Sequence, residues 1–211
     1  HRISYDSGPY HGELHQVMLS GVNFEIGDLA RRLDFHRRLI YEVVVVGNAT
    51  MRDLFFNLDV QTIGETPYKS LTQLEMENGV REGTSIDVKA RDIGLRVFPD
   101  ARVYGAPLIG NHVGGDVSAG LLAVAMDEEE DVVMLVDVGT NTEVVVGNRH
   151  QMMAASCPAG PAFEGGEITY GMPGYEGAIE SIEIDESGVR TRTIGDGKVS
   201  GICGSGLIDL L

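Results

Sequence analysis

The feature that most constrains this chain is an apolar strand that stops on a carboxylate and reverses at once. Residues 132–137 read Val-Val-Met-Leu-Val-Asp, and Gly139-Thr140-Asn141 leads into a second β-branched run over 142–147. Two such runs joined by a short polar turn predict a hairpin. The turn has two physical readings. Gly and Asn tolerate the positive φ of a tight reversal and can be there for that alone. The same turn can also aim backbone N–H groups and a hydroxyl outward as a cradle for phosphate oxygens. Asp137 at the strand end would then hold Mg²⁺, largely through water, because that ion gives up its hydration shell reluctantly. Residue types alone leave the two readings level.

Glycine placement points to the same half of the chain. Of 28 glycines, 19 fall at Gly105 or later, where backbone must turn tightly or approach something closely. With 16 basic against 32 acidic residues and a net charge of −16, the surface repels polyanions, which excludes nucleic-acid binding as an expectation. No apolar run is long enough for a membrane span and no signal-peptide pattern opens the chain, so a cytoplasmic protein is expected. Cys157 and Cys203 form no CxxC pair and read as small buried thiols. Two cysteines cannot hold an iron–sulfur cluster, which takes about four ligands. The chain opens at His1 without a methionine and closes on an amphipathic start of a helix at 206–211, so it reads as an internal segment of a longer protein.

Strands alternating with helices predict an α/β architecture. Helical periodicity runs through 12–40. Residues 41–46, Tyr-Glu-Val-Val-Val-Val, read as a strand apolar on both faces. Gly47-Asn48 turns the chain into a helix over 51–58. Residues 59–83 look irregular, with a turn at Thr66-Pro67. Thr84 is placed as the cap of a short helix ending at Gly94, and 95–104 as extended. A small-residue helix follows over 116–126, then an acidic connector over 127–131. A second hairpin is expected from 178–184 and 189–194. The change in glycine density places a lobe boundary at 105/106.

Three further glycine-rich stretches carry candidate chemistry. Pro107-Leu108-Ile109-Gly110-Asn111-His112-Val113-Gly114-Gly115-Asp116 leads into a close-packing helix. Asp116 is either an ordinary N-cap or a base that orients an attacking water or hydroxyl at a γ-phosphate. His112 has no assigned role. In Ser156-Cys157-Pro158-Ala159-Gly160-Pro161, Pro161 suits the first turn of a helix and the loop before it could present amides to an anion or partner. Gly201-Ile202-Cys203-Gly204-Ser205-Gly206 is another loop before a helix. Either could equally be close packing.

In combination these motifs resemble a known group. The turn from Asp137 to Asn141 resembles the second phosphate motif of the acetate and sugar kinase, heat-shock chaperone and actin superfamily. Gly110 to Gly120 resembles the preceding segment, where sugar kinases carry a catalytic Asp, and Asp116 sits at that place. More narrowly, Val46-Gly47-Asn48-Ala49-Thr50-Met51, Asp137 to Glu143, Ser156 to Gly165, Gly177-Ala178-Ile179-Glu180 and Gly201 to Leu207 together resemble the ATP-dependent reductive activators of corrinoid proteins. The resemblance implies a two-lobed, actin-like (ribonuclease H-like) α/β ATPase of which this chain holds part of each lobe. Residues 1–105 would end the first lobe and 106–211 begin the second, nucleotide-binding one. It further implies ATP and Mg²⁺ as cofactors, with Asp116 and Asp137 catalytic and Asp137 on the metal. Asp137, Gly139, Thr140, Asn141, Gly204, Ser205 and Gly206 would contact nucleotide, and Ser156, Gly160 and Glu164 would face a corrinoid protein. The family's [2Fe-2S] cluster would lie in a domain outside this chain. The family's first phosphate hairpin and its adenosine loop also fall outside it, so the segment alone is expected to be inactive. A small-molecule phosphotransferase and a chaperone-like nucleotide-gated module share parts of the pattern.

Overall fold

The computed structural model describes residues 2–110, 112–139, 141–158, 160, 168–186 and 188–210. They fall into two compact units, His1–Val133 with Gly147–Met152, and Met134–Val146 with Met153–Leu211. The helix start predicted at Pro161 lies outside the described residues.

The first unit runs α1 (Arg2–Asp6), α2 (Glu13–Arg32), β1 (Glu42–Val45), α3 (Ala49–Phe55), α4 (Gln61–Gly64), α5 (Leu71–Glu77), β2 (Ile86–Lys89), α6 (Ala90–Ile93), β3 (Arg102–Gly105) and α7 (Gly115–Ala123). Its sheet has the order β1-β3-β2, with β1 parallel and β2 antiparallel to the central β3. Edge position explains why β1 is not buried on both faces as its sequence predicts. Val43 and Val45 pack on the core, whereas Val44 is 60% exposed.

The cap predicted at Thr84 is corrected. The Thr84 hydroxyl accepts from the Leu108 amide at 2.8 Å and donates to the Leu108 carbonyl at 3.2 Å. Residues 86–89 alternate apolar and polar with period two and join the sheet as β2. The helix starts only at Ala90 and ends, as expected, on a left-handed Gly94. Within 59–83, α4 and α5 are short, and the Ser70 hydroxyl caps α5 by accepting from the Thr72 amide.

Two apolar clusters hold this unit, one around Leu54, Val60 and Ile63, the other around Phe55, Phe56, Ile86 and Val103. Gly105, where glycine density changes, ends β3 inside this unit. A Cβ there would sit 2.6 Å from Phe56 Cε2, so this glycine marks close packing of strand on ring. Between the clusters lies a feature sequence reasoning did not find: Arg52 and Asp53, fully buried side by side.

The second unit carries two three-stranded sheets. The first has the order β4-β5-β6, formed by β4 (Val133–Val138), β5 (Asn141–Asn148) and β6 (Gln151–Pro158). The predicted hairpin is β4–β5, but β6 was not read from sequence, because Met-Met-Ala-Ala-Ser-Cys lacks β-branched residues. The turn end of β5 and β6 belongs to the first unit, where Arg149 pairs with Glu130 at 2.8 Å. The second sheet has the order β8-β7-β9, formed by β7 (Ala178–Asp185), β8 (Gly188–Thr193) and β9 (Gly201–Ile202). β7 and β8 are the expected second hairpin, and β9 runs parallel to β7 before α8 (Gly204–Ile208). Among the described residues no helix is long and apolar enough to cross a membrane.

Candidate functional site

In the first unit, folding brings together two motifs that lie about sixty residues apart in sequence. Asn48 caps α3 by accepting from the Met51 amide at 2.9 Å, which leaves the Gly47 carbonyl pointing out of the turn. That carbonyl accepts the amides of Gly115 at 2.9 Å and Asp116 at 3.3 Å. The approach is backbone on backbone. A Cβ at Gly114 would lie 2.6 Å from Asn48 Cα and 2.8 Å from the Gly47 carbonyl oxygen, so glycine is required there. The N-cap of α7 is therefore Gly114, without a side-chain bond, and the reading of Asp116 as N-cap is corrected. Asp116 is a first-turn residue, half-buried, whose Oδ1 accepts from the Val117 amide at 3.0 Å. Among the described residues it has no ion-pair partner. A carboxylate anchored by one oxygen and left without a cation can accept a proton or hold a water.

In the second unit Asp137 stands exposed near the end of β4, and no described residue bonds its carboxylate. The Gly139 amide donates to the Asn141 carbonyl at 3.1 Å, so this N–H is used inside the turn rather than aimed outward. Asn141 is exposed; Thr140 lies outside the described residues. On the neighbouring strands the Ser156 hydroxyl donates to Glu143 Oε1 at 2.9 Å. That pair ties the loop stretch predicted to face a partner to the hairpin of Asp137. Gly160 takes a left-handed φ of 82° with open space on its Cβ side, and Glu164 lies outside the described residues.

Gly204, Ser205 and Gly206 open α8, with Cys203 as its N-cap. Gly206 is a packing position, since a Cβ there would meet the Ile179 carbonyl oxygen at 2.5 Å. Cys203 is buried, while Cys157, read from sequence as buried, is exposed on the sheet and donates to the Thr142 carbonyl at 3.5 Å. Burial alone would raise the Cys203 thiol. The Ser205 hydroxyl and the amides of Gly206, Ser205 and Cys203 outweigh it and hold the thiol below its ordinary value. Asp209, which sequence reasoning missed, accepts from the Ile182 amide at 3.0 Å. That amide and the Ser181 hydroxyl hold its carboxyl below the usual range. Its only sequence signal was an acid just past a helix end.

Two family models divide the chain between them. The RACo middle region matches residues 1–129, and the C-terminal domain of RACo, the ASKHA domain, matches 131–211. This chain belongs to the RACo family. Among its relatives is the corrinoid activation enzyme RamQ of Eubacterium limosum, 30% identical over 199 residues, which cover 94% of this chain and 32% of RamQ. A [Co(II) methylated amine-specific corrinoid protein] reductase of Methanosarcina barkeri is 30% identical over 162 residues, 70% of this chain and 27% of the reductase. A solved reductive activator for corrinoid, iron-sulfur protein superposes with a TM-score of 0.82 at 36% identity, over 99% of this chain and 32% of that one. The chain thus spans about a third of the length of the relatives it matches. The RACo match confirms the actin-like α/β class for the ASKHA part, and its two models meet at 129/131.

Among the described residues no group of three or more His, Cys, Asp or Glu could hold a metal ion. Asp137, whose carboxylate no described residue bonds, is compatible with Mg²⁺, which takes one or two carboxylates and completes its shell with water and phosphate oxygens.

Proposed function

We propose that this chain is the ATP-binding and coupling part of a protein that returns Co(II) corrinoid proteins to Co(I). The observation that carries the reading is the match of the entire chain, in order, to the two RACo regions, together with relatives named for corrinoid activation. Co(II) gains one electron from a reduced donor; a [2Fe-2S] cluster, as the family resemblance implies, would lie in a domain outside this chain, since Cys157 and Cys203 are too few to hold one. The uphill transfer requires coupling to a second, downhill process. Hydrolysis of ATP to ADP and phosphate supplies it.

In this reading Asp137 would hold Mg²⁺, and Asn141, with Thr140 before it in sequence, would contact the phosphates. The role proposed for Asp116, within the first unit, is that of the carboxylate that would orient an attacking water, its Oδ1 fixed by the Val117 amide. Gly204 and Ser205 would contact the nucleotide, while Gly206 lets α8 seat against β7. Ser156 and Gly160 face the corrinoid protein, with Glu164 beside them in sequence. The Ser156–Glu143 bond would carry a change at the nucleotide turn toward that surface.

The experiment is Asp137→Asn in the full-length protein. Losing the charge should reduce Mg-ATP hydrolysis about a hundredfold or more, with the thermal midpoint unchanged because no described residue bonds the carboxylate. Wild-type hydrolysis by the variant would return the turn to a merely structural hairpin.

A further inference from the structure

A cavity of about 870 Å³ runs along α2 in the first unit, lined by none of the residues assigned above. A second, of about 500 Å³, adjoins it and shares His36, Arg37 and Arg96. In a chain with twice as many acids as bases, this groove gathers Arg31, Arg37, Arg38, Arg91 and Arg96, against Asp34 as its acid. Arg31 and Arg91 are paired, to Asp28 and Asp100. The guanidinium groups of Arg37, Arg38 and Arg96 have no partner among the described residues.

The segments that carry the three unpaired cations are tied down. Asn23 donates to the Gly94 carbonyl at 3.1 Å and accepts from the Arg96 amide at 2.6 Å, clamping the segment that carries Arg96 onto α2. His36 Nδ1 accepts from the Arg38 amide at 3.2 Å and caps the short turn that carries Arg37 and Arg38. Arg37 lies against α2 at Gly27, where a Cβ would stand 3.2 Å from its Nη2. Glycine inside a helix costs about 1 kcal/mol relative to alanine, and here its effect is to seat that guanidinium. Phe24, 65% exposed, stands beside them.

We propose that this groove docks an acidic segment of the protein partner, carrying apolar side chains that cover Phe24. Its length decides for a polypeptide over a single small anion. The lining runs from Gln16 to Arg31 on α2, about 22 Å at the helical rise. Its charge decides the chemistry, because unpaired arginines favour carboxylates and, in a net-negative protein, concentrate the attraction at one place. The proposal rests on the reading above for the identity of that partner, the corrinoid protein.

The test measures association of the full-length protein with its Co(II) corrinoid protein at low and high salt. Wild type is compared with Arg37→Gln/Arg38→Gln/Arg96→Gln and with the single variants Arg38→Gln and Arg96→Gln, which alter only exposed groups. The triple variant should associate about tenfold more slowly with a flattened salt dependence, while ATP hydrolysis and the thermal midpoint hold. Each exposed single variant should show part of that effect. Equal association of triple variant and wild type overturns the groove and leaves the functional reading standing. Absence of wild-type association overturns both. A triple variant that loses affinity for inorganic phosphate alone, with association intact, makes the groove a small-anion site and overturns its role in docking.

Discussion

Replacing Arg52 by methionine should destabilise the first unit by about 3–5 kcal/mol, the range for breaking a buried ion pair. Its guanidinium donates to the carbonyls of Thr84 at 2.8 Å and Ala106 at 3.0 Å, to Asp53 Oδ1 at 2.7 Å and to the Thr72 hydroxyl at 2.8 Å. Methionine keeps most of the apolar stem but removes the donor to all four acceptors, of which the Thr72 hydroxyl keeps a side-chain partner, Ser70, at 2.8 Å. Asp53 Oδ2 already lacks a hydrogen-bond partner among the described residues, so the buried carboxylate would be left with only the Ser70 hydroxyl and the charge of Arg81 to offset its burial. Burial pushes the Asp53 carboxyl above its ordinary range, against the pull of Arg52, the Ser70 hydroxyl and Arg81. A raised folded pKa contributes stability that is full below the ordinary carboxylate range and is lost as pH rises through the raised value. Removing Arg52 raises it further, so the penalty should be larger at pH 8 than at pH 5. Urea unfolding at both pH values measures it, with Arg52→Met/Asp53→Asn recovering part of the loss. A penalty below about 1 kcal/mol, or one equal at the two pH values, would refute the reasoning.

Asp116→Asn should lower ATP hydrolysis in the full-length protein by about 10²–10⁴-fold. Asn still accepts from the Val117 amide, so a thermal melt should not move, and an unchanged rate would remove Asp116 from the mechanism. Gly114→Ala should cost about 1–3 kcal/mol by overpacking, because the Cβ meets backbone atoms of Gly47 and Asn48 as well as Asp116 Oδ1; denaturant unfolding checks it, and a neutral result would mean the two motifs are not in contact. In thiol titration of the native protein Cys157 should react at once and Cys203 only on unfolding. Access decides this, although the Cys203 thiol is held below its ordinary value, and two fast thiols would contradict the burial.

The hairpins and the long helix were legible because each carries its own period: alternating β-branched runs at 132–147 and 178–194, helical spacing through α2. The RACo motifs were legible because glycines and single polar residues recur in a fixed order. Long-range pairing was not legible. Thr84 looks like a cap until Leu108, twenty-four residues on, supplies a partner for its hydroxyl. Asp116 looks like a cap until the Gly47 carbonyl takes the amides at the start of α7. Arg52 and Asp53, adjacent in a helix, carry no sign that both face inward, since the acceptors for Arg52 lie at 72, 84 and 106. The groove on α2 is assembled from arginines spread over 31–96, and no local pattern joins them.

The central claim is tested most directly by mixing the full-length protein with its Co(II) corrinoid protein and a low-potential electron donor, and following Co(I) by its visible absorption. The account predicts that Co(I) appears only when ATP and Mg²⁺ are both present, and that Asp137→Asn abolishes it without unfolding the protein. Co(I) formation at the same rate without nucleotide, or none with it, would contradict the account.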